Sequence, residues 1–221
     1  ELGLAGTDRN GEAMSGSGAV LLAVKPQICP ELVEDLRAID PGSQCVISIM
    51  AGISIAKLTE ATGGSQRVIR TMPNTPLLAG KGMTGIAPGP GVTDVDRGFA
   101  ESLFACAGDA IFVDEPMIDV VTAVSGSGPA YIFYLAEAMA EAARSLGMDD
   151  EQADRFSRQT VLGAATLLSQ ADESAAELRR RVTSPGGTTQ AAIEHMESKQ
   201  VRTTIVEAIG KAKDRSAELG A

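Results

Sequence analysis

"AVLLAV", residues 19–24, is a run of six apolar residues closed by Lys25-Pro26. It is too short for a helix, carries no charge and ends at a pair that interrupts regular structure, so it reads as a strand buried on both faces. The pattern returns as CVISIMAG (45–52) and as RVIRTMPN (67–74). Amphipathic text lies between: PELVEDLRAI (30–39), with Leu32, Leu36 and Ile39 on one stripe, and SIAKLTEAT (54–62). Strand alternating with helix predicts a parallel α/β sheet. GMTGIAPG (82–89) adds a strand, VTDVDRGFAESLFACAG (92–108) a helix capped by Gly108, and AIFVDE (110–115) a last strand. Residues 1–115 are therefore expected to form a doubly wound, Rossmann-like domain.

After Glu115 the text turns helical and alanine-rich, interrupted at SGSGPAY (125–131), LGMDD (146–150), ADES (171–174), SPGG (184–187) and ESKQ (197–200). The helix after Pro129 is apolar nearly all round, with Ile132, Leu135, Met139 and Ala143 on one face and Tyr131, Leu135 and Ala138 on another, so it should be buried. Small residues such as Ala136, Ala140, Gly163, Ala164 and Ala165 permit close helix contacts. Residues 116–221 thus read as an all-α domain whose surplus apolar surface is expected to meet another subunit.

The 221 residues carry a net charge of −10, with eight basic and fourteen acidic side chains up to Glu115 and eleven and fifteen beyond it. No basic patch or tail exists, which argues against nucleic acid as the main partner. An anionic ligand then needs local help from helix ends and a few arginines or lysines. Cys29, Cys45 and Cys106 are odd in number and lie in or beside apolar runs, which reads as buried thiols in a reducing compartment. No apolar run has the length of a membrane span and the start is no signal peptide, pointing to the cytoplasm. The chain begins at Glu1 inside what resembles a helix end (ELGL), so an N-terminal piece is expected to be missing from it.

VTSPGGTTQAAIEH (182–195) follows three arginines and leads into helical spacing. Ser-Pro-Gly-Gly lets the backbone turn sharply, and Thr188 and Thr189 suit the first residues of a helix. Two readings follow: a capped loop, or bare N–H groups at a helix N-terminus that receive a carboxylate or phosphate.

Five ordered stretches bear on that choice: LAVKPQ (22–27), MPNTP (72–76), VTAVSGSGPAYIFYLAEAM (121–139), QTVLGAA (159–165) and VTSPGGTT (182–189). Together they closely resemble pyrroline-5-carboxylate reductase, over essentially the whole chain. The resemblance implies reduction of pyrroline-5-carboxylate to proline, the last step of proline synthesis, with hydride from NADPH or NADH. It also implies a Rossmann domain and a helical domain whose helices interlock between subunits, in dimers that often assemble into decamers.

One feature departs from the pattern. A Gly-rich G-x-G-x-x-G turn between strand and helix is absent: GSGAVL (16–21) has two of the glycines, and SGSGPAY precedes a helix in the other domain. A missing βαβ opening is the simplest account. It would remove the main pyrophosphate contact and the residues that choose between NADPH and NADH.

By resemblance, backbone groups at Gly187 and Thr188 hold the substrate carboxylate and the Thr189 hydroxyl bonds the ring nitrogen, which makes Thr189 the catalytic candidate. This favours the anion-site reading of the junction. Ser184 either caps the turn or joins the site. Ala23, Val24, Lys25 and Pro26 line the cofactor, Ile49, Met50 and Ala51 lie near the nicotinamide, and Asn10 touches the adenosine half. Taken alone, Lys-Pro is an ordinary turn at a strand end.

MPNTP reads as a loop fixed by two prolines, forming a wall of the cleft. Glu115 is either solvated surface or a contact at the substrate's end of the site. Gln159 and Thr160 face a helix interface or the cleft. His195, the only histidine, reads as a partly exposed structural residue. Two other readings stay open: a related β-hydroxyacid-type dehydrogenase, and an oligomeric scaffold without cofactor.

Overall fold

A computed structural model describes residues 3, 5–37, 43–64 and 67–220. The ELGL stretch at 1–4 and Ile39, the third member of the predicted stripe, fall outside the described residues in whole or in large part. Five strands form one sheet in the order β1-β2-β3-β4-β5: β1 Ala19–Leu22, β2 Cys45–Ser48, β3 Val68–Met72, β4 Gly82–Pro88 and β5 Gly108–Phe112. The helices of this part are α1 Asn10–Met14, α2 Val33–Leu36, α3 Ile55–Ala61, α4 Asp94–Ala105 and α5 Ile118–Val121.

The sheet is Rossmann-like but mixed, which corrects the all-parallel expectation. β1, β2 and β3 run parallel, β4 runs antiparallel to β3, and β5 is parallel to β4. The reason is chain length. Only residues 73–81 join β3 to β4, with a short 3-10 turn at Thr75–Ala79. A parallel return needs a crossover of a dozen or more residues, so the chain reverses.

The side-chain period of two divides the apolar residues between two faces. Val20, Leu22, Val46 and Val68 pack on one with Leu36, Met50, Ile55, Leu58 and Ile118. Cys45, Ile47, Ile69 and Ile86 pack on the other with Ala100 and Phe104 of α4. β2 is buried throughout, as its continuous apolar run predicts. β1 lies at the end of the sheet and alternates instead: Leu22 is buried, whereas Leu21 is 46% exposed. Its expected burial on both faces is therefore not seen in this protomer.

Three local expectations are also corrected. The predicted helix at 30–39 is a 3-10 stretch, Pro26–Leu32, followed by the single turn of α2, because Pro30 cannot donate to a regular ladder. Gly108 does not cap α4, which ends at Ala105 with Cys106 as its cap residue. It opens β5 instead, where a Cβ would stand 2.1 Å from the Gly82 carbonyl oxygen. Cys106 is exposed, Cys29 half-buried and only Cys45 fully buried, and all three are free thiols.

The chain divides into two compact units: residues up to Ser127 together with those from Gly210 on, and Gly128–Ile209. The second unit contains α6 Gly128–Ser145, α7 Asp150–Gln170, α8 Ala175–Arg181, α9 Thr188–Ser198 and the start of α10 Val201–Gly220. Each predicted break is realised. Asp149 and Ser174 accept the N–H groups of Gln152 and Glu177 at the starts of α7 and α8, and Gln200 turns the chain before α10 with φ of 55°. Ser157 of α7 donates to the Ala136 carbonyl of α6 at 2.6 Å, a close contact that the small residue permits.

The α6 helix is not buried within the protomer as its composition predicts. Phe133, Tyr134 and Leu135 are 67%, 75% and 47% exposed. No helix among the described residues is long and apolar enough to cross a membrane.

Candidate functional site

In the first unit the parallel register brings three strand ends to one edge of the sheet. Leu22 stands beside Ser48 and Ser48 beside Arg70, so the segments that follow β1, β2 and β3 leave together. These are Ala23 to Pro26, Ile49 to Gly52, and Pro73 to Pro76. The carboxyl ends of parallel strands are where α/β sheets receive ligands. Ala23, Val24 and Lys25 are exposed and Pro26 half-buried, so this segment presents backbone and one cation to solvent.

The Ile49 N–H donates to the Leu22 carbonyl at 3.2 Å, and the Met50 N–H to the Ser48 hydroxyl at 3.2 Å. Ile49 and Ala51 are half-buried. Met50 is 1% exposed as a whole residue and packs in the core, so the protomer closes both its side chain and its backbone from solvent. Asn10 is exposed, and its amide donates to Asp35 at 2.8 Å.

Glu115 is not solvated surface. One of its carboxylate oxygens accepts the Ile55 N–H at 2.7 Å and an Arg70 guanidinium N–H at 3.4 Å, which ties the start of α3 to β3. Asp119 takes the other end of Arg70 at 3.4 Å. Arg70 is buried, and its Nε has no partner among the described residues.

In the second unit the 182–189 junction is a tight turn. Gly186 has φ of 70°, a region that glycine enters without penalty. The Gly187 N–H donates to the Ser184 carbonyl at 3.0 Å, and a Cβ on Gly187 would meet that same oxygen at 3.1 Å. Ser184 thus closes the turn through its carbonyl. Gly187 is the N-cap of α9 but lends no side-chain cap, leaving the first N–H groups of the helix, from Thr188 on, open. The Gly187 amide itself is spent on the turn.

Thr188 is exposed and Thr189 half-buried, and the Thr189 hydroxyl has no hydrogen-bond partner among the described residues. The three arginines before the turn are paired: Arg179 with Glu197, Arg180 with Glu177 and Arg181 with Glu173. An anion at this turn would therefore be met by helix amides. Gln159, Thr160 and His195 are exposed in the protomer.

Comparison with known proteins shows the family. The family described as "Pyrroline-5-carboxylate reductase dimerisation" matches residues 115–219. The pyrroline-5-carboxylate reductase of Pseudomonas aeruginosa is 41% identical over 213 residues, 96% of this chain and 78% of its own length. The Escherichia coli protein of that name is 39% identical over 200 residues, 90% of this chain and 74% of its own. The chain belongs to the pyrroline-5-carboxylate reductase family.

Solved members share the fold. The Coxiella burnetii pyrroline-5-carboxylate reductase superposes with a TM-score of 0.86 at 37% identity, covering 97% of this chain and 80% of that one. The Plasmodium falciparum enzyme, solved with NADP bound, gives 0.86 at 29% identity over 97% and 82%.

Two residues of the first unit hold the strand ends in ways that no motif in the sequence assigned. Asn74, the centre of MPNTP, spends both ends of its amide: Nδ2 donates to the Ser125 carbonyl and hydroxyl, each at 3.1 Å, while Oδ1 accepts the Met83 N–H at 2.9 Å. Ser125 lies in a π-helical turn, Thr122–Gly126, formed by the SGSG text, and Asn74 clamps that turn to the β3 end. A lone asparagine between prolines at a strand end is a signal for such a clamp. Arg70 is the other, and a charged residue inside an otherwise apolar strand is the mark it left in the sequence.

Proposed function

We propose that this chain reduces 1-pyrroline-5-carboxylate to proline with hydride from NADPH or NADH, and that it works as a dimer or larger self-assembly in the cytoplasm. The observation that carries the substrate end is the turn at Pro185 to Thr189. It offers open helix amides to a carboxylate and, next to them, an unengaged hydroxyl able to meet a ring nitrogen. In this reading Thr188 and the following amides hold the carboxylate, Gly187 shapes the turn that aims them, and Thr189 touches the reacting C=N group. Ser184 supports the site through its carbonyl, and Glu115 contributes by fixing the start of α3.

The cofactor end is assigned to Asn10, Ala23 to Pro26 and Ile49 to Ala51. The strand-end segments fit it: the exposed Ala23 to Lys25 and the half-buried Ile49 and Ala51 follow two adjacent parallel strands at one edge, with Lys25 as the nearby cation. A bound nicotinamide supplies the hydride, and this chain's part is to hold, orient and exclude water. We place the functional boundary after Glu115, with 1–115 serving the dinucleotide and 116–221 serving dimerisation and substrate. The exposed apolar surface of α6 supports self-assembly, and three unpaired cysteines fit a reducing compartment.

The test compares Thr189→Val with Thr188→Val in the full-length protein. Valine keeps the shape of Thr189 and removes the polar atom, so kcat/KM should fall about 10- to 100-fold, the scale of one hydrogen bond to a charged group. Thr188→Val keeps the backbone amide and should cost much less. Equal losses, or a larger loss at Thr188, would overturn the assignment.

A further inference from the structure

The loop that follows β2 is bracketed from both sides by contacts outside the strand ends. Gly52 has φ of 75°, and a Cβ there would stand 3.1 Å from the backbone of Leu219, in the last turn of α10. A Cβ on Gly220 would in turn stand 3.0 Å from the Gly52 carbonyl oxygen. The two backbones therefore meet without side chains between them. One turn earlier Ser216 is 5% exposed and donates to Asp119 at 2.8 Å.

Asp119 also receives Arg70, whose other nitrogen reaches Glu115, which holds the Ile55 N–H just beyond the loop. One buried guanidinium thus links the end of α10 to the start of α3, and the 49–54 loop meets the first through Gly52 and runs into the second at Ile55.

We infer that the last turn of α10, through Ser216 and its backbone contact at Gly52, is a positioning element that sets the Ile49 to Gly52 loop for the cofactor. Neither Ser216 nor Leu219 touches a reacting atom in this account. The chain's C-terminal turn governs affinity for the dinucleotide and leaves the chemical step alone. The inference rests on the proposed placement of Ile49, Met50 and Ala51 beside the nicotinamide.

The experiment compares the full-length wild type with a chain ending at Arg215 and with the variants Ser216→Ala and Ala51→Leu. Steady-state kinetics with NADPH as the varied substrate are read together with thermal midpoints. The shortened chain should raise KM for NADPH about tenfold, the scale of one charged hydrogen bond lost with its packing, while kcat at saturating NADPH stays within about twofold. Ser216→Ala should move KM in the same direction by a smaller factor.

Gly52→Ala, added as a further variant, should raise KM strongly in the intact chain. In the shortened chain, where the Leu219 backbone is gone, it should add far less. Such non-multiplicative behaviour persists even if the shortened protein is less stable. An unchanged KM with a fall in kcat and thermal midpoint would overturn the inference, as would fully multiplicative effects. Ala51→Leu separates the layers. If it leaves KM for NADPH unchanged, the placement of the loop has failed and the inference falls with it. If it raises KM while the shortened chain does not, the inference alone is overturned.

Discussion

The two units of the chain handle their apolar residues in opposite ways. In the first, the large aliphatic side chains of the strands turn into two clusters on either face of the sheet, and Val46, Val68, Ile69, Ile86 and Leu58 have no exposed surface. In the second, the buried apolar residues among those described are Ala140 of α6 and Ala153 of α7. Ile132, Phe133, Tyr134, Leu135, Phe156 and Leu162 all stay largely open. A sheet between helices closes its own core, whereas a few helices with apolar residues on every side do not. The first unit closes a core with its own contacts, and the second leaves apolar surface open within the region that matches the dimerisation family.

The largest effect should come from placing charge on that open surface. Phe133→Asp combined with Phe156→Asp would forfeit the burial of two aromatic side chains, each worth about 1.5–3 kcal/mol, and desolvate carboxylates in their place. We expect dimer affinity to fall by about a thousandfold or more, corresponding to about 4 kcal/mol. Analytical ultracentrifugation reads the assembly, and hydrogen exchange of the β2 and β3 amides reports whether the first unit stays folded. An undisturbed dimer would show that these side chains are not what the second unit uses.

Next in size is an effect confined to the first unit. Asp96 is held near pH 2, well below the usual carboxylate range, chiefly by the Arg67 guanidinium that donates to it at 2.5 and 3.0 Å, and further by Thr93. Its side chain is 5% exposed. Because the folded value is depressed, the stabilisation is fully present above the ordinary carboxylate value near 3.8 and is lost as pH falls through about 2. A shift of this size corresponds to about 2 to 3 kcal/mol. Asp96→Asn should cost that much in urea denaturation at pH 7, with the gap to wild type closing between pH 5 and 2. A constant gap across that window would mean that the pair acts through shape and not through charge.

Much of this division was legible in the sequence, and the parts that were not have physical causes. The uniform apolarity of AVLLAV and CVISIMAG marked strands, and the breaks between the C-terminal helices were marked by Asp149, Ser174 and Gly186. The direction of β4 was hidden because strand composition carries no sign of direction. The nine residues between Met72 and Gly82 carried it, and only their count excludes a crossover.

The turn at Gly186 and Gly187 was visible as a junction, but not that the Gly187 amide would be consumed by Ser184. That bond depends on the φ of two glycines, which composition leaves free. Arg70, Glu115, Asp119 and Ser216 stand far apart in sequence, and no local pattern joins them.

Asn74 supplies a smaller effect. Asn74→Ala removes the donor to Ser125 and leaves the half-buried Met83 N–H without its acceptor. The cost should be about 1–3 kcal/mol in thermal unfolding, the penalty for an orphaned backbone group. Asn74→Asp keeps an oxygen for Met83 and loses only the donor, so it should fall between the alanine variant and wild type. Equal losses for both would place the whole effect on the Ser125 side.

The smallest effect separates residues of one type within the first unit. Cys45 is 1% exposed at the start of β2, and burial pushes its thiol up to about 12, with the nearby Asp96 carboxylate adding to the rise. Cys29 is raised by burial too, while Cys106 sits exposed after α4, its thiol near the Leu103 carbonyl. Thiolate, not thiol, reacts with a disulfide reagent, so burial and a raised thiol both hold back Cys45, and exposure favours Cys106. Cys106→Ser should shift stability by less than about 0.5 kcal/mol, as for most surface changes, and should abolish the fast phase of labelling by a chromogenic disulfide. Cys45 should label only as fast as the sheet opens, since the reagent needs both exposure and a thiolate that the folded state withholds. Native-state labelling of Cys45 at a rate close to that of Cys106 would show that β2 opens locally without unfolding. The closed core that distinguishes the first unit from the second would then be a looser structure than its buried strands indicate.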